Sequence, residues 1–366
     1  MPERIIGLLQ RLHLGLQFLP SAACLLLWGA AATAQDLPSP NQVLALPDAT
    51  RERFEVEVIK AARSPQVRLR KLVEFMFEAE GLGLEYDNSR SRTVAEAIAD
   101  RQANCLSFTL TFMELARRAG FHTHMMESEQ ALVWFVEDRT LFLAGHVSAQ
   151  VRLGRHRFEV NFDPNAPLLR RDQQTVSDDR ALAHFYNNRA AELMAEGDYA
   201  LAQRYFDQAL KLDSEMVSTL NNQGVLLMRQ GSMSQAEAVY QHALRIDPDS
   251  LSVMTNLINL YRLRGESARA DKLEERLEQT QRKNPLHHFV VGIYAEQSGN
   301  HSEALTHFET AARLDRREPL FELALSRVHK ALGQESEAAK HARRAKRLTE
   351  RGRNAIRNVD QRMNRR

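Results

Sequence analysis

Three residues of this sequence have the types and the order of a nucleophile with its base and orienter: Cys105, His146 and Asp163. Cys105 stands in "RQANCLSFTLTFMELARRAGF", residues 101–121, a stretch whose pattern predicts a helix beginning near the cysteine and closing at Gly120. The first turn of a helix offers backbone N–H groups without intrahelical partners and the positive end of the dipole. Both favour a thiolate and so make a nucleophile. The competing reading is an ordinary core thiol, since Leu106, Phe108, Leu110 and Phe112 make the neighbourhood apolar.

The other two members fall in "GHVSAQVRLGRHRFEVNFDP", residues 145–164. Val147, Ala149, Val151 and Leu153 alternate with polar residues, and Phe158, Val160 and Phe162 do so after a turn, which predicts a β-hairpin. A two-residue turn at Gly154-Arg155, of the type that wants glycine first, pairs Leu153 with His156. Cross-strand partners then have numbers summing to 309: Gln150 faces Glu159, Ser148 faces Asn161 and His146 faces Asp163. Directly opposed Cβ atoms lie about 5 Å apart, close enough for a carboxylate to orient an imidazole. The same register sets Arg152 against Arg157, a mildly unfavourable pair.

Upstream, "SPQVRLRKLVEFMFEAEGLG" reads as one helix, and "TVAEAIADRQANC" opens with the capping box Thr93-x-x-Glu96 and gives a second, short one. His122, His124 and His146 lack a fourth group at ligand spacing, so no metal site is expected, and no cofactor motif occurs.

Downstream the chain repeats itself every 34 residues. Glycines recur at 197, 231, 265, 299 and 333, alanines at 202, 236, 270, 304 and 338, and aromatics at 206, 240 and 308 in the same register. Each unit reads as two helices joined at the glycine, with alanines where helices cross closely. This pattern resembles the tetratricopeptide repeat family over residues 183–352, five units. A stack of that kind makes a groove for a peptide or a partner protein. Asn188, Asn222 and Asn256 share one repeat position, with Asn187, Asn221 and Asn259 nearby. A column of amides either grips the backbone of an extended peptide or bonds to its own helices.

Charge and cysteine content constrain the setting. With 49 Lys and Arg against 47 Asp and Glu, the net charge of +2 gives no mandate for nucleic acid. Arg4, Arg11, an apolar run and Ala32-Thr33-Ala34 predict a signal peptide over residues 1–34, with an uncleaved membrane anchor as the alternative. Ser21 disfavours a lipoprotein signal at Cys24. Export, to the periplasm or beyond, removes Cys24 and leaves Cys105 as the one cysteine, which excludes a disulfide within the mature chain. Residues 353–366 form a basic tail, a solvated end or a patch for anionic partners.

"NCLSFTLTFMELARRAGF", then "GHVSAQVRL", then "FEVNFDP" resembles the transglutaminase-like cysteine domain in the order Cys, His, Asp. The resemblance implies an α+β transglutaminase-like (papain-like) domain over residues 50–175, followed by an all-α tetratricopeptide repeat solenoid. It also implies Cys105 as nucleophile, His146 as base and Asp163 as orienter, with Asn161 as the alternative orienter. The chemistry implied is cysteine-dependent acyl transfer or hydrolysis at a protein or peptide amide. The oxyanion would be held by the Cys105 backbone N–H with Gln102 or Asn104. The repeats would recruit the substrate or a partner. The alternative expectation is a non-catalytic interaction scaffold built on the repeats, and a third is a cell-wall amidase.

Overall fold

The computed structural model describes residues 37–363 apart from 138–139, 155 and 163–172; the side chains of 128–146, 156, 173 and 351–363 are not described. The predicted signal peptide lies outside the described residues. Helices α1 (Pro40–Val43), α2 (Asp48–Phe54) and α3 (Pro65–Phe77) open the chain, α2 running on into a six-residue π-helix, Glu55–Lys60. Ser64 caps α3 and Pro65 takes its first position, where a missing N–H removes no helical bond. Next come β1 (Glu85–Tyr86), α4 (Val94–Asp100) and β2 (Gln102–Ala103), which pairs parallel with β1. The capping box forms: the Glu96 amide donates to Thr93 Oγ1 at 3.2 Å and the Thr93 amide to Glu96 Oε2 at 2.8 Å.

Helix α5 (Cys105–Arg118) is the centre of this part. Ten of its fourteen residues are buried. It lies against an antiparallel sheet that has four strands among the described residues, in the order β5-β4-β3-β6: β3 (His122–Glu137), β4 (Thr140–Leu153), β5 (His156–Val160) and β6 (Gln173–Val176). Strands β4 and β5 pair from Leu153↔His156 to Ala149↔Val160, the register summing to 309 that the alternation predicts. Gly154 has φ +62°, the left-handed conformation a tight hairpin turn needs and glycine adopts without steric cost. The inner face carries Met125, Val147, Ala149, Val151 and Val176, all buried. Phe162 stacks on Phe108 with ring centres 5.3 Å apart, and Phe108 on Phe77 at 5.5 Å, so aromatic packing closes the gap between sheet and helix. The β3–β4 pairing shifts midway. Ser128 pairs with His146 and Val133 with Ala144, so residues 129–132 answer to residue 145 alone.

The repeats form helix pairs: α6 (Asp178–Glu196) with α7 (Tyr199–Leu212), α8 (Val217–Arg229) with α9 (Met233–Ile246), α10 (Leu251–Leu263) with α11 (Ser267–Lys283), α12 (Pro285–Gln297) with α13 (His301–Leu314), and α14 (Pro319–Ala331) with α15 (Glu335–Met363). Each pair turns at one of the five periodic glycines, with φ between +73° and +89°. The periodic alanines are buried, as close helix crossings require. In the second and fourth pairs a glycine on the first helix makes room for an aromatic ring on the second. A Cβ on Gly224 would come within 2.4 Å of the Tyr240 ring, and one on Gly292 within 2.6 Å of the Phe308 ring. The third repeat carries no aromatic at that second-helix position, having Glu274, and there the first helix fills the space with Ile258.

One apolar cluster runs without interruption from Val43 through the α/β part to Leu226, so the sheet and the first two repeats share a core. Polar bonds reinforce the joint. Arg180 of α6 pairs with Glu127 of β3 at 2.6 Å and with Asp213 at 2.7 Å, and His184 Nε2 lies 3.2 Å from Glu127. Burial opposes ionisation of Glu127, but His184 and Arg180 outweigh it and draw its carboxyl down to about 2. No helix among the described residues is long and apolar enough to cross a membrane.

Further along, one pair of contacting repeat positions changes character. Tyr186 meets Tyr205, His288 meets His307 and Glu322 meets His341, and the same positions hold Leu220 and Val239 in the second repeat and Met254 and Leu273 in the third. In the fourth repeat the two Nδ1 atoms are 3.1 Å apart. Burial, and then the neighbouring His288, hold His307 below the ordinary imidazole value. The unfolded chain therefore takes up the proton first, and stability falls as pH drops from about 6.5 through the folded value of His307. Replacing the pair by the residues of the second repeat, His288→Leu with His307→Val, should flatten that dependence. Thermal melts between pH 7.5 and 5 check it. An unchanged slope in the double variant would exclude this pair as its source.

Candidate functional site

The expected catalytic residues are placed only in part. Cys105 is the first residue of α5 and is half-buried beside the core. His146 lies on β4 at the register shift, next to Val147, whose side chain is buried. Asp163 lies outside the described residues. Asn161 follows β5 and is half-buried.

The start of α5 is held by a buried polar cluster that sequence reading did not foresee. Asn104 is the N-cap: its Oδ1 accepts from the Ser107 amide at 2.9 Å and its Nδ2 donates to Ser91 Oγ at 3.0 Å. The Ser107 hydroxyl donates to the Arg92 carbonyl at 2.9 Å, and the Arg92 amide donates back to it at 2.7 Å. The Arg92 guanidinium, 5 % exposed, is matched by Asp87 at 2.8 Å, Asp100 at 2.9 Å and the Gln102 side-chain oxygen at 2.9 Å. Hydrogen bonds from Arg92 and then Arg90 lower the Asp100 carboxyl, and those from Ser89 and then Arg92 lower that of Asp87. The Gln102 side-chain oxygen and the Asn104 side chain, from the two residues expected to offer an oxyanion donor, thereby hold the loop and the helix start. Glu192 of α6 closes the cluster by accepting from the Ser91 amide at 2.7 Å, and burial pushes its carboxyl up.

The asparagines of the repeats form the second site. Asn256 Nδ2 donates to Asn221 Oδ1 at 2.9 Å, and Asn221 Nδ2 to Asn222 Oδ1 at 3.4 Å. Asn222 Nδ2 donates to Asn187 Oδ1 at 3.1 Å, and Asn187 Nδ2 to Asn188 Oδ1 at 3.3 Å. Five amides on three first helices thus make one continuous chain, all donating in the same sense. Asn187, Asn221 and Asn256 are buried, whereas Asn188 and Asn222 are half-buried. Each interior amide of the chain uses one of its two N–H donors and one of its two lone pairs for these links. A pocket of about 510 Å³ adjoins it, lined by Asn256 and Asn259 together with Tyr199, Val225, Met228 and Tyr240. Leu263, one heptad after Asn256 on the same face of α10, also lines it and is 62 % exposed.

Comparison with known proteins speaks to this second site's scaffold. Residues 180–250 match the tetratricopeptide repeat model. A TT21 fifth ARM repeats domain model matches residues 225–320. No curated protein matches the sequence. Among solved structures, a MamA described as MSR-1 C2 is 21% identical and aligns over 47% of this chain and 98% of its own, with a TM-score of 0.25. MamA residues 41 to the end from Desulfovibrio magneticus RS-1 is 16% identical over 46% of this chain and 95% of its own, with a TM-score of 0.26. At those scores the likeness carries nothing over to this chain.

Removing Asn221 from the middle of the amide chain breaks its link to Asn256, 2 % exposed, and its link to Asn222. Asn221→Ala should therefore cost about 1–3 kcal/mol of stability, and Asn188→Ala, at the end of the chain, markedly less. Urea unfolding of both variants measures the difference; equal losses would mean that the amides act independently.

Proposed function

We propose that this protein is an interaction scaffold whose repeats hold an extended segment of a partner protein along the first-helix face. The observation that carries this reading is the amide chain with its adjoining pocket. The half-buried Asn188 and Asn222 retain donors and lone pairs suited to a peptide backbone, and Tyr199, Met228 and Leu263 offer apolar surface to a side chain beside Asn256. A backbone-directed grip accepts many sequences, so affinity would depend on extension of the ligand more than on its composition. The α/β part would serve as the platform onto which the first repeats are fused. The sequence of residues 1–34 supports placing this activity outside the cytoplasm.

The reading is tested by fluorescence anisotropy of the full chain with labelled, unstructured peptides, each paired with a backbone N-methylated twin. Saturable binding should weaken about tenfold or more on N-methylation and in Asn222→Ala, and should persist in Cys105→Ser. Indifference to N-methylation and to Asn222 would remove the backbone grip.

A second reading, cysteine-dependent acyl transfer, is supported by Cys105 at the first position of α5. It requires the thiol to be alkylated by iodoacetamide with a midpoint below the ordinary cysteine value of about 8.5, and that midpoint to move in His146→Ala. A midpoint at or above the ordinary value leaves Cys105 as a core residue.

A further inference from the structure

The outward face of the sheet carries a concentration of positive charge. His122, Arg152 and Arg157 stand in one row across β3, β4 and β5, since His122 pairs with Arg152 and Arg152 with Arg157. His124 and Gln150 form the next row. Their chain neighbours Thr123, Met125, Val151 and Leu153 are buried on the other face, so these polar side chains all point away from α5. Two arginines directly opposed on one face repel at a Cβ separation of about 5 Å. Among the described residues neither guanidinium has an ion-pair partner. Glu159, the carboxylate of the neighbouring row, accepts from Ser148 Oγ at 3.0 Å.

A second observation concerns the neutral groups. Thr175 Oγ1 donates to Met126 Sδ at 3.3 Å, and Gln150 Nε2 donates to the same sulfur at 3.6 Å. A thioether is a poor acceptor, so two good donors are directed at a weak partner. Together His122, His124, Gln150, Arg152, Arg157 and Thr175 line a pocket of about 250 Å³. Its lining is rich in donors and holds two permanent positive charges, and guanidinium has no acceptor of its own.

We propose that this pocket binds a phosphate-type oxyanion, the phosphoryl group of a ligand. The paired guanidinium charges match a dianion, their planar forks suit tetrahedral oxygens, and Thr175 and Gln150 exchange the Met126 sulfur for phosphoryl oxygens. The like-charge pair is then no longer a defect of the hairpin, because the bound anion separates the two charges. The site is distinct from the groove of the repeats and does not depend on the scaffold reading.

The test uses the full chain and inorganic phosphate, titrated calorimetrically against chloride at matched ionic strength. One site per chain is expected, weakened about tenfold or more in Arg152→Gln and in Arg157→Gln. Arg63→Gln, which removes an exposed charge elsewhere, should bind as the parent does. In phosphate-free buffer Arg152→Gln should melt at or above the parent temperature, since it relieves the repulsion, while gaining no further stability from added phosphate. Absence of saturable binding, equal binding in the Arg152→Gln/Arg157→Gln double variant, or an equal loss in Arg63→Gln would each overturn the proposal. Sedimentation with phosphatidylcholine vesicles, with and without phosphatidic acid, separates the sources. Arg152-dependent pelleting assigns the phosphoryl group to a lipid, and phosphate binding without pelleting assigns it to a soluble ligand.

Discussion

The architecture depends on helix α6 being buried on every side. Residues 181–187 are consecutively buried, which no helix with one solvent face allows. One side packs with α7 and α8 as the first member of the repeat stack, and the other closes the α/β part. Tyr186 reaches the Pro38 carbonyl at 2.6 Å, Glu192 holds the loop before α4, and Arg180 and His184 hold β3. A solenoid usually ends in a polar capping helix. Here the sheet domain takes that place, and the α5 start inherits its position from the same helix.

The repeats were legible because their requirements fall on fixed residue types. A left-handed turn demands glycine and a close crossing demands alanine, so a 34-residue period shows both. The β4–β5 register was legible for a similar reason, Gly154 marking the turn and the alternation fixing the faces. Strand β3 was not foreseen. In "HTHMMESEQALVWFVE" the alternation fails, and the pairing shift that accommodates residues 129–132 has no counterpart in sequence. The short helices before residue 60 carry too few periodic apolar residues to declare themselves.

At the sites, the individual residues were visible but their partnerships were not. The asparagine column was read as one row of equivalent groups, yet its bonds join Asn187 to Asn222 and Asn221 to Asn256, residues 35 apart. A search at the repeat period looks past that offset. Asn104 and Gln102 invite a reading by proximity to Cys105, whereas the buried Arg92 guanidinium recruits the Gln102 oxygen and the Arg92 backbone reaches Asn104 through Ser107. Such demands arise only after folding brings distant segments together.

The amide chain has one property that none of its members has alone. Every link runs from a nitrogen to an oxygen in the direction of Asn188, so the row has a sense, like an arrow. A single amide cannot turn over without setting nitrogen against nitrogen on one side and oxygen against oxygen on the other. Within the row's own bonds only two patterns are self-consistent, related by inverting all five groups together. Whatever fixes the polarity at Asn188, on the first repeat, also fixes it at Asn256, on the third, without displacing a single helix.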